Sequence, residues 1–273
     1  MIFKITKNIK FSNSYKKMNI FSLVLIFLSI IFLLFKGLNL GVDFKGGTLI
    51  EIRTENENIK LSDIRQSLLK MELADVNVKK FGKEKDFLIK IDMSKINDPN
   101  FIKTINSQLS SDLGSYVNFR RVENVGPKVS EELLEAGMLA ISLSLVAMLF
   151  YIWIRFEWQF SLGAIVALIH DVVITLGIFS FLSYEINLSI VAAVLTIVGY
   201  SMNDTVVIFD RIRENLKKYT KIFISDITDT SINETLSRTL ITSFTTLLAL
   251  LSIFFFGGEI LKGFSLAMIM GVV

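Results

Sequence analysis

Five long apolar runs, Met18–Phe35, Ala136–Ile154, Phe160–Leu182, Leu188–Phe209 and Leu236–Phe256, punctuate the chain. Each is close to the roughly 20 residues that a helix needs to cross a hydrocarbon core about 30 Å thick. In lipid the backbone must satisfy its own hydrogen bonds, so spanning segments are helices or strands of a closed barrel. Continuous aliphatic runs, with only 2 prolines in 273 residues, fit helices rather than alternating barrel strands. A further run begins near Ile260 and reaches Val273. It allows about 14 residues, or about 21 Å of helix, and is read as an incomplete sixth crossing. The predicted fold class is an α-helical polytopic membrane protein with six transmembrane helices, the last truncated.

Lys4, Lys7, Lys10, Lys16 and Lys17 precede the first run with no acidic residue among them. No small-residue cleavage site follows in Lys36-Gly37-Leu38-Asn39-Leu40, so the run is read as an uncleaved anchor rather than a signal peptide. Basic short loops stay in the cytoplasm, which places residues 1–17 inside. Alternating crossings then put the Arg155 turn inside, the turn at Ser183–Asn187 outside, and the stretch with Arg211, Arg213, Lys217, Lys218 and Lys221 inside. Trp153 and Trp158 flank the Arg155 turn at the expected headgroup level. The segments are therefore 1–17 as a basic cytoplasmic N-terminus, 18–37 as the first transmembrane helix, 38–135 as an external domain and 136–273 as helices two to six. In a bacterium this is a multi-pass protein of the cytoplasmic (inner) membrane.

The external stretch has the patterning of a soluble module. Gly47–Arg53 reads as a strand, Leu61–Leu73 as a helix, Val76–Phe81 and Phe87–Asp92 as strands, Pro99–Leu113 as a helix and Tyr116–Val122 as a strand. That βαββαβ order is the ferredoxin-like α+β unit. It contains no histidine and no nucleophile motif, and the protein is not expected to be an enzyme. The chain has no cysteine and a single histidine, which removes thiolate and multi-histidine metal sites. No metal or cofactor is expected. A net charge of +3, from 29 basic against 26 acidic residues, gives no basis for binding nucleic acid, whereas membrane lipid is an expected partner.

Ionisable groups inside membrane helices are costly and mark function by default. Here they are His170, Asp171, Asp204 and Arg238. Asp204 lies about six residues, or about 9 Å, from the basic end of its helix, and Arg238 about five residues, or about 7.5 Å, into the next helix, which runs the other way. Their depths match, so the two charges are expected to attract. A proton relay needs such a pair; a static ion pair locking two helices has the same spacing. Thr242 and Thr245 continue the Arg238 face, and Ser201 lies near Asp204, so hydroxyls are placed for a wet path or for helix-to-helix contacts. His170, Asp171 and Thr242 form a possible secondary intramembrane polar site. As sequence neighbours, His170 and Asp171 point about 100° apart and are not expected to face one partner. Gly163, Ala164, Gly177 and Gly199 are small enough for close helix packing.

Gly41-Val42-Asp43-Phe44-Lys45-Gly46-Gly47-Thr48 after the first helix, Val125-Gly126-Pro127 before the second, Val198 to Glu214 across the fourth, and Ser237-Arg238-Thr239 in the fifth resemble the SecD/SecF family of protein-export membrane proteins, within the resistance-nodulation-division superfamily. The resemblance runs from about Lys17 to Val273. It implies a subunit that pairs with SecD and uses the proton motive force to help move unfolded exported proteins through the SecYEG translocon and its accessory membrane subunits. It also implies that Asp204 and Arg238 are the proton-pathway carboxylate and arginine. Two rival readings are weaker. An intramembrane aspartyl protease lacks its Gly-x-Gly-Asp signature around Asp171 and Asp204, and half of a proton-driven small-molecule or lipid exporter of the related superfamily would usually come with a second half in the same chain.

Overall fold

The computed structural model describes residues 8–71, 73, 76–82, 84–91, 100–219 and 221–273. Expectations at Lys4, Lys7, Asp92 and Pro99 lie outside these residues. The chain divides into two compact units, one from its start to Asn39 together with Leu139–Val273, the other Leu40–Met138.

The second unit is an antiparallel sheet with two helices on one face. Its strands are β1 (Gly47–Thr54), β2 (Val76–Lys80), β3 (Asp86–Ile91) and β4 (Val117–Val125), in the spatial order β2-β3-β1-β4. Alternation decides which face is covered. Ile50 and Ile52 of β1, Val78 of β2, and Phe87, Ile89 and Ile91 of β3 all turn inward and are buried. The helices Leu61–Leu69 and Phe101–Leu113 present Ile64 and Leu68, and Phe101, Ile105 and Leu109, at the spacing of a single helical stripe. Pairing runs Ile50 to Ile89 and Ile50 to Val122, with a register shift after Glu51. Arg53 clamps Asp86 through two bonds of 2.6 and 2.8 Å on the same sheet. The sheet begins at a position only glycine fits. Gly46 closes the one-turn helix Val42–Lys45 at φ +77°, and Gly47 at φ +134° sits so near β3 that a Cβ would lie 2.7 Å from the Ile91 carbonyl oxygen.

The other unit is helical. Its elements are α1 (Tyr15–Phe35), α2 (Pro127–Arg155, most of which belongs to this unit), α3 (Trp158–Leu182), α4 (Leu188–Lys218), α5 (Ile224–Phe256) and the shorter α6 (Glu259–Val272). Among the described residues five helices are long and apolar enough to cross a membrane, and a further apolar helix spans Leu261–Val272. Ile152 of α2 and Phe156 just after it, Leu168 and Val172 of α3, and Val194, Val198 and Met202 of α4 form a common core. α6 packs on α4 and α5, and Gly271 lets it come close: a Cβ there would lie 2.5 Å from Ile197 Cγ1. Of the small residues singled out in the sequence, Gly177 makes the tight contact, with Ser29 of α1, whereas nothing lies within 4 Å of a Cβ at Gly199. Ser180 fastens the same α1–α3 contact by donating to the carbonyls of Phe32 at 2.9 Å and Gly37 at 2.7 Å.

Two helices run on past the apolar runs that predict them. α4 continues through Arg211, Arg213 and Lys217 to Lys218, and α5 begins at Ile224, so the basic stretch is mostly helix. Polar side chains hold these extensions together. Arg211 donates to Glu214 at 2.7 Å and to Glu234 at 2.6 Å, and Asn215 donates to Ser231 at 3.0 Å and Glu234 at 2.8 Å. Such pairs substitute for the apolar face that a water-exposed helix end lacks.

Candidate functional site

α4 is the centre of the site because α3, α5 and α6 all pack against it. It carries Tyr200, Ser201 and Asp204 on adjoining turns, while α3 carries His170 and Asp171 and α5 carries Arg238. Asp204 is partly buried, and its recorded hydrogen bond is a long one, 3.5 Å, from the neighbouring Asn203 amide. Among the described residues no ion pair within 4.0 Å joins Asp204 to Arg238, although the Arg238 charge is near enough to act on the Asp204 carboxyl. The two are thus neighbours without being locked. A static lock would need direct hydrogen-bonded contact to offset the desolvation of both charges.

Asp171 is placed differently. His170 and Asp171 touch each other, as members of one polar site: Nδ1 of the ring lies 2.9 Å from Oδ1. The 100° between their Cβ directions is closed by side-chain torsions, since both groups are long enough to turn toward each other. Ser201, expected beside Asp204, donates its hydroxyl at 2.7 Å to Asp171 Oδ2 instead, because α3 faces that side of α4. Thr175 bonds back to the Asp171 carbonyl at 2.8 Å. Thr242 does not join His170 and Asp171 through its hydroxyl, which returns to the carbonyls of Arg238 at 3.1 Å and Thr239 at 2.9 Å. Thr245 likewise bonds to its own helix, at 2.9 Å to Ile241. These are the back-bonds that hydroxyl residues make in apolar helices. Two buried hydroxyls nearby, Tyr200 and Thr239, have no hydrogen-bond partner among the described residues.

Several polar contacts join residues far apart in the sequence. Asp229 of α5 receives the Ser12 amide at 2.8 Å and the Ser12 hydroxyl at 2.6 Å, just before α1 begins. Asn233, one turn on, accepts from the Ile9 amide at 2.9 Å and donates to its carbonyl at 2.8 Å. Asp229 therefore binds, from another helix, the 3-10 turn Phe11–Ser14 that leads into α1, satisfying an amide near the start of that turn. Asp210 is held by Arg155 and Arg213, both at 2.9 Å, and both guanidinium groups lie over the Phe156 ring at 5.1 and 5.3 Å.

The profile of the family described as protein export membrane protein SecD/SecF, C-terminal, matches residues 105–273, and the SecD/SecF GG motif matches residues 31–57. The chain belongs to the SecD/SecF family. It is 45% identical over 272 residues to the protein translocase subunit SecF of Vibrio alginolyticus, covering 99% of this chain and 86% of that one. To the protein translocase subunit SecF of Rickettsia bellii (strain OSU 85-389) it is 44% identical over 264 residues, covering 96% and 87%. The crystal structure of SecDF, a translocon-associated membrane protein from Thermus thermophilus, superposes with a TM-score of 0.88 at 33% identity. That match covers 100% of this chain and 37% of the other, so this chain corresponds to little more than a third of SecDF. A multi-pass membrane protein of this family accounts for the apolar helices, and the GG-motif match spans the Gly46-Gly47 turn.

Proposed function

We propose that this chain is a subunit of the Sec protein-export complex which, paired with SecD, uses the proton motive force to drive protein translocation across the inner membrane through SecYEG. Asp204 is the carboxylate that takes and releases the proton, and Arg238 is the cation whose distance sets how readily it does so. The observation that carries this reading is the placement of Asp204 beside Arg238 with no direct ion pair between them. A carboxylate with a nearby, unlocked cation is poised to exchange protons. Tyr200 lies one turn before Asp204 and Thr239 beside Arg238, and their unpaired hydroxyls supply bonding groups for water along the path. The relatives named as translocase subunits and the SecDF likeness support the partner and the task.

The N-terminus is read as cytoplasmic, with α6 the start of a sixth crossing. Residues 38–135 are read as a ferredoxin-like domain outside the cytoplasm, supported by the antiparallel order β2-β3-β1-β4 and the βαββαβ sequence. There it meets the emerging unfolded protein. The decisive experiment is Asp204→Asn, which removes the titrating group and keeps its shape. In vesicles containing the whole export complex, proton-driven stimulation of export disappears while the chain still inserts; stimulation at the wild-type level would refute the assignment.

A further inference from the structure

Two carboxylates, Asp171 and Asp204, lie within the apolar runs of the spanning helices, and their surroundings differ. Both oxygens of Asp171 are occupied, Oδ1 by His170 at 2.9 Å and Oδ2 by the Ser201 hydroxyl at 2.7 Å. Asp204 has only the long Asn203 contact at 3.5 Å among the described hydrogen bonds. A group that exchanges protons in every cycle needs an open side, whereas a carboxylate bonded at both oxygens to neighbours on two helices is built to hold them in place. Resting on the reading of Asp204 given above, we propose that Asp171 is a positioning residue for Asp204, acting through Ser201.

The geometry of α4 gives the tie its leverage. Ser201 precedes Asp204 by about one turn, about 4.5 Å along the axis, and shares its side of the helix. The α3–α4 contact around it is apolar, made by Leu168, Val172, Val194, Val198 and Met202. Contacts of that kind resist separation but do little to prevent rotation. A turn of α4 by about 20° carries a side chain at about 5 Å radius sideways by nearly 2 Å, enough to move a carboxylate out of hydrogen-bond reach. The directional bond from Ser201 to Asp171 opposes that rotation, and His170 fixes the Asp171 carboxylate in turn. The charged groups on the elements around α4 include Arg238 and Glu234 on α5 and, nearer the basic end, Asp210 with Arg155 and Arg213, and Arg211 with Glu214 and Glu234. α6 carries Lys262 and, at its first position, Glu259.

The test uses membranes carrying the complete complex and two readouts, proton-driven export and the pH midpoint of the Asp204 carboxyl infrared band. Asp171→Ala and Ser201→Ala each lower stimulation about tenfold, the factor expected for losing one charge-assisted bond. The double variant is no worse than either single one, and all three displace the Asp204 midpoint by the same amount. Ser201→Thr and Asp171→Asn retain most activity, because each still supplies its half of the bond. Ser201 tests the idea by itself if Asp171→Ala does not accumulate. Loss of drive in Asp171→Asn with Ser201→Ala near wild type would make Asp171 a proton carrier and overturn the proposal, as would additive losses in the double variant. Asp204→Asn in the same membranes separates the two ideas. Retained drive there sinks the Asp204 reading, whereas failure of the Asp171 series alone leaves it standing.

Discussion

The contact between α1 and α3 offers the sharpest measurable consequence of the helix packing. A Cβ on Gly177 would run into the Ser29 side chain and lie 2.7 Å from Ser29 Cα. Carbon atoms pack at about 3.5–4.0 Å, so Gly177→Ala forces the helices apart by about 1 Å. Overpacking of this kind costs about 1–3 kcal/mol. The separation also stretches the Ser180 hydroxyl bonds to Phe32 and Gly37 and the Lys36 ammonium bond of 2.7 Å to the Phe181 carbonyl, adding about 1 kcal/mol if one of them is lost. The expected total is about 2–4 kcal/mol, read from reversible unfolding in mixed micelles. Ser29 provides the internal control. Ser29→Gly removes the clashing Cβ and recovers about 1–2 kcal/mol of coupling energy in the double variant, while Ser29→Ala keeps that Cβ and recovers little. A Gly177→Ala protein within about 0.5 kcal/mol of wild type, or additive effects with Ser29→Gly, would refute this account of the interface.

Gly47→Ala, at φ +134° and facing the Ile91 carbonyl, destabilises the sheet unit by about 1–3 kcal/mol in protease-resistance measurements. Gly37→Ala, at φ +70° with nothing within 4 Å, costs no more than about 1–2 kcal/mol; equal effects would mean that the close approach at Gly47 is unimportant. The Asp112 carboxyl is held below its usual range by the Ser67 hydroxyl first, then by Gln108 and Lys70. A carboxyl lowered in the folded state stabilises the fold above its unfolded pKa of about 3.9, and that contribution is lost as pH falls through the lowered folded value. Ser67→Ala therefore raises the Asp112 titration midpoint, observable by carboxyl NMR; an unmoved midpoint contradicts the assigned cause.

The spanning helices were legible because lipid imposes a length on apolar runs, and the sheet unit because its strands alternate and its helices carry single stripes. Where the apolar pattern stops, sequence reading stops with it. The apolar runs end at Phe209 and begin again at Leu236, yet α4 reaches Lys218 and α5 starts at Ile224. What extends them is a set of partners that become neighbours only after the two helices pack, such as Arg211 with Glu234 and Asn215 with Ser231. The hold of Asp229 on the turn before α1 is a stronger case, because Ser12 and Asp229 are 217 residues apart and neither position looks unusual alone. A faint signal did exist: Asp229 and Asn233 stand at i, i+4 on one face of an amphipathic stretch, a spacing that fits docking as well as solvent exposure.

The site shows the same division at finer scale. Depth along a helix follows from counting residues, so Asp204 and Arg238 could be placed near each other without coordinates. Azimuth between helices depends on which faces pack, so the closeness of Ser201 to Asp204 along the chain does not reveal that its hydroxyl bonds Asp171. That hydroxyl turns to Asp171 because α3 packs on that side of α4, and Asp204 keeps only the 3.5 Å contact with the Asn203 amide among the described hydrogen bonds. This separation matters for mechanism, since a carboxylate tied by its own helix neighbours would lose the freedom to respond to Arg238. On the proposal made above, the Ser201–Asp171 bond holds α4 in position and leaves the Asp204 carboxylate to water and to the movement of Arg238.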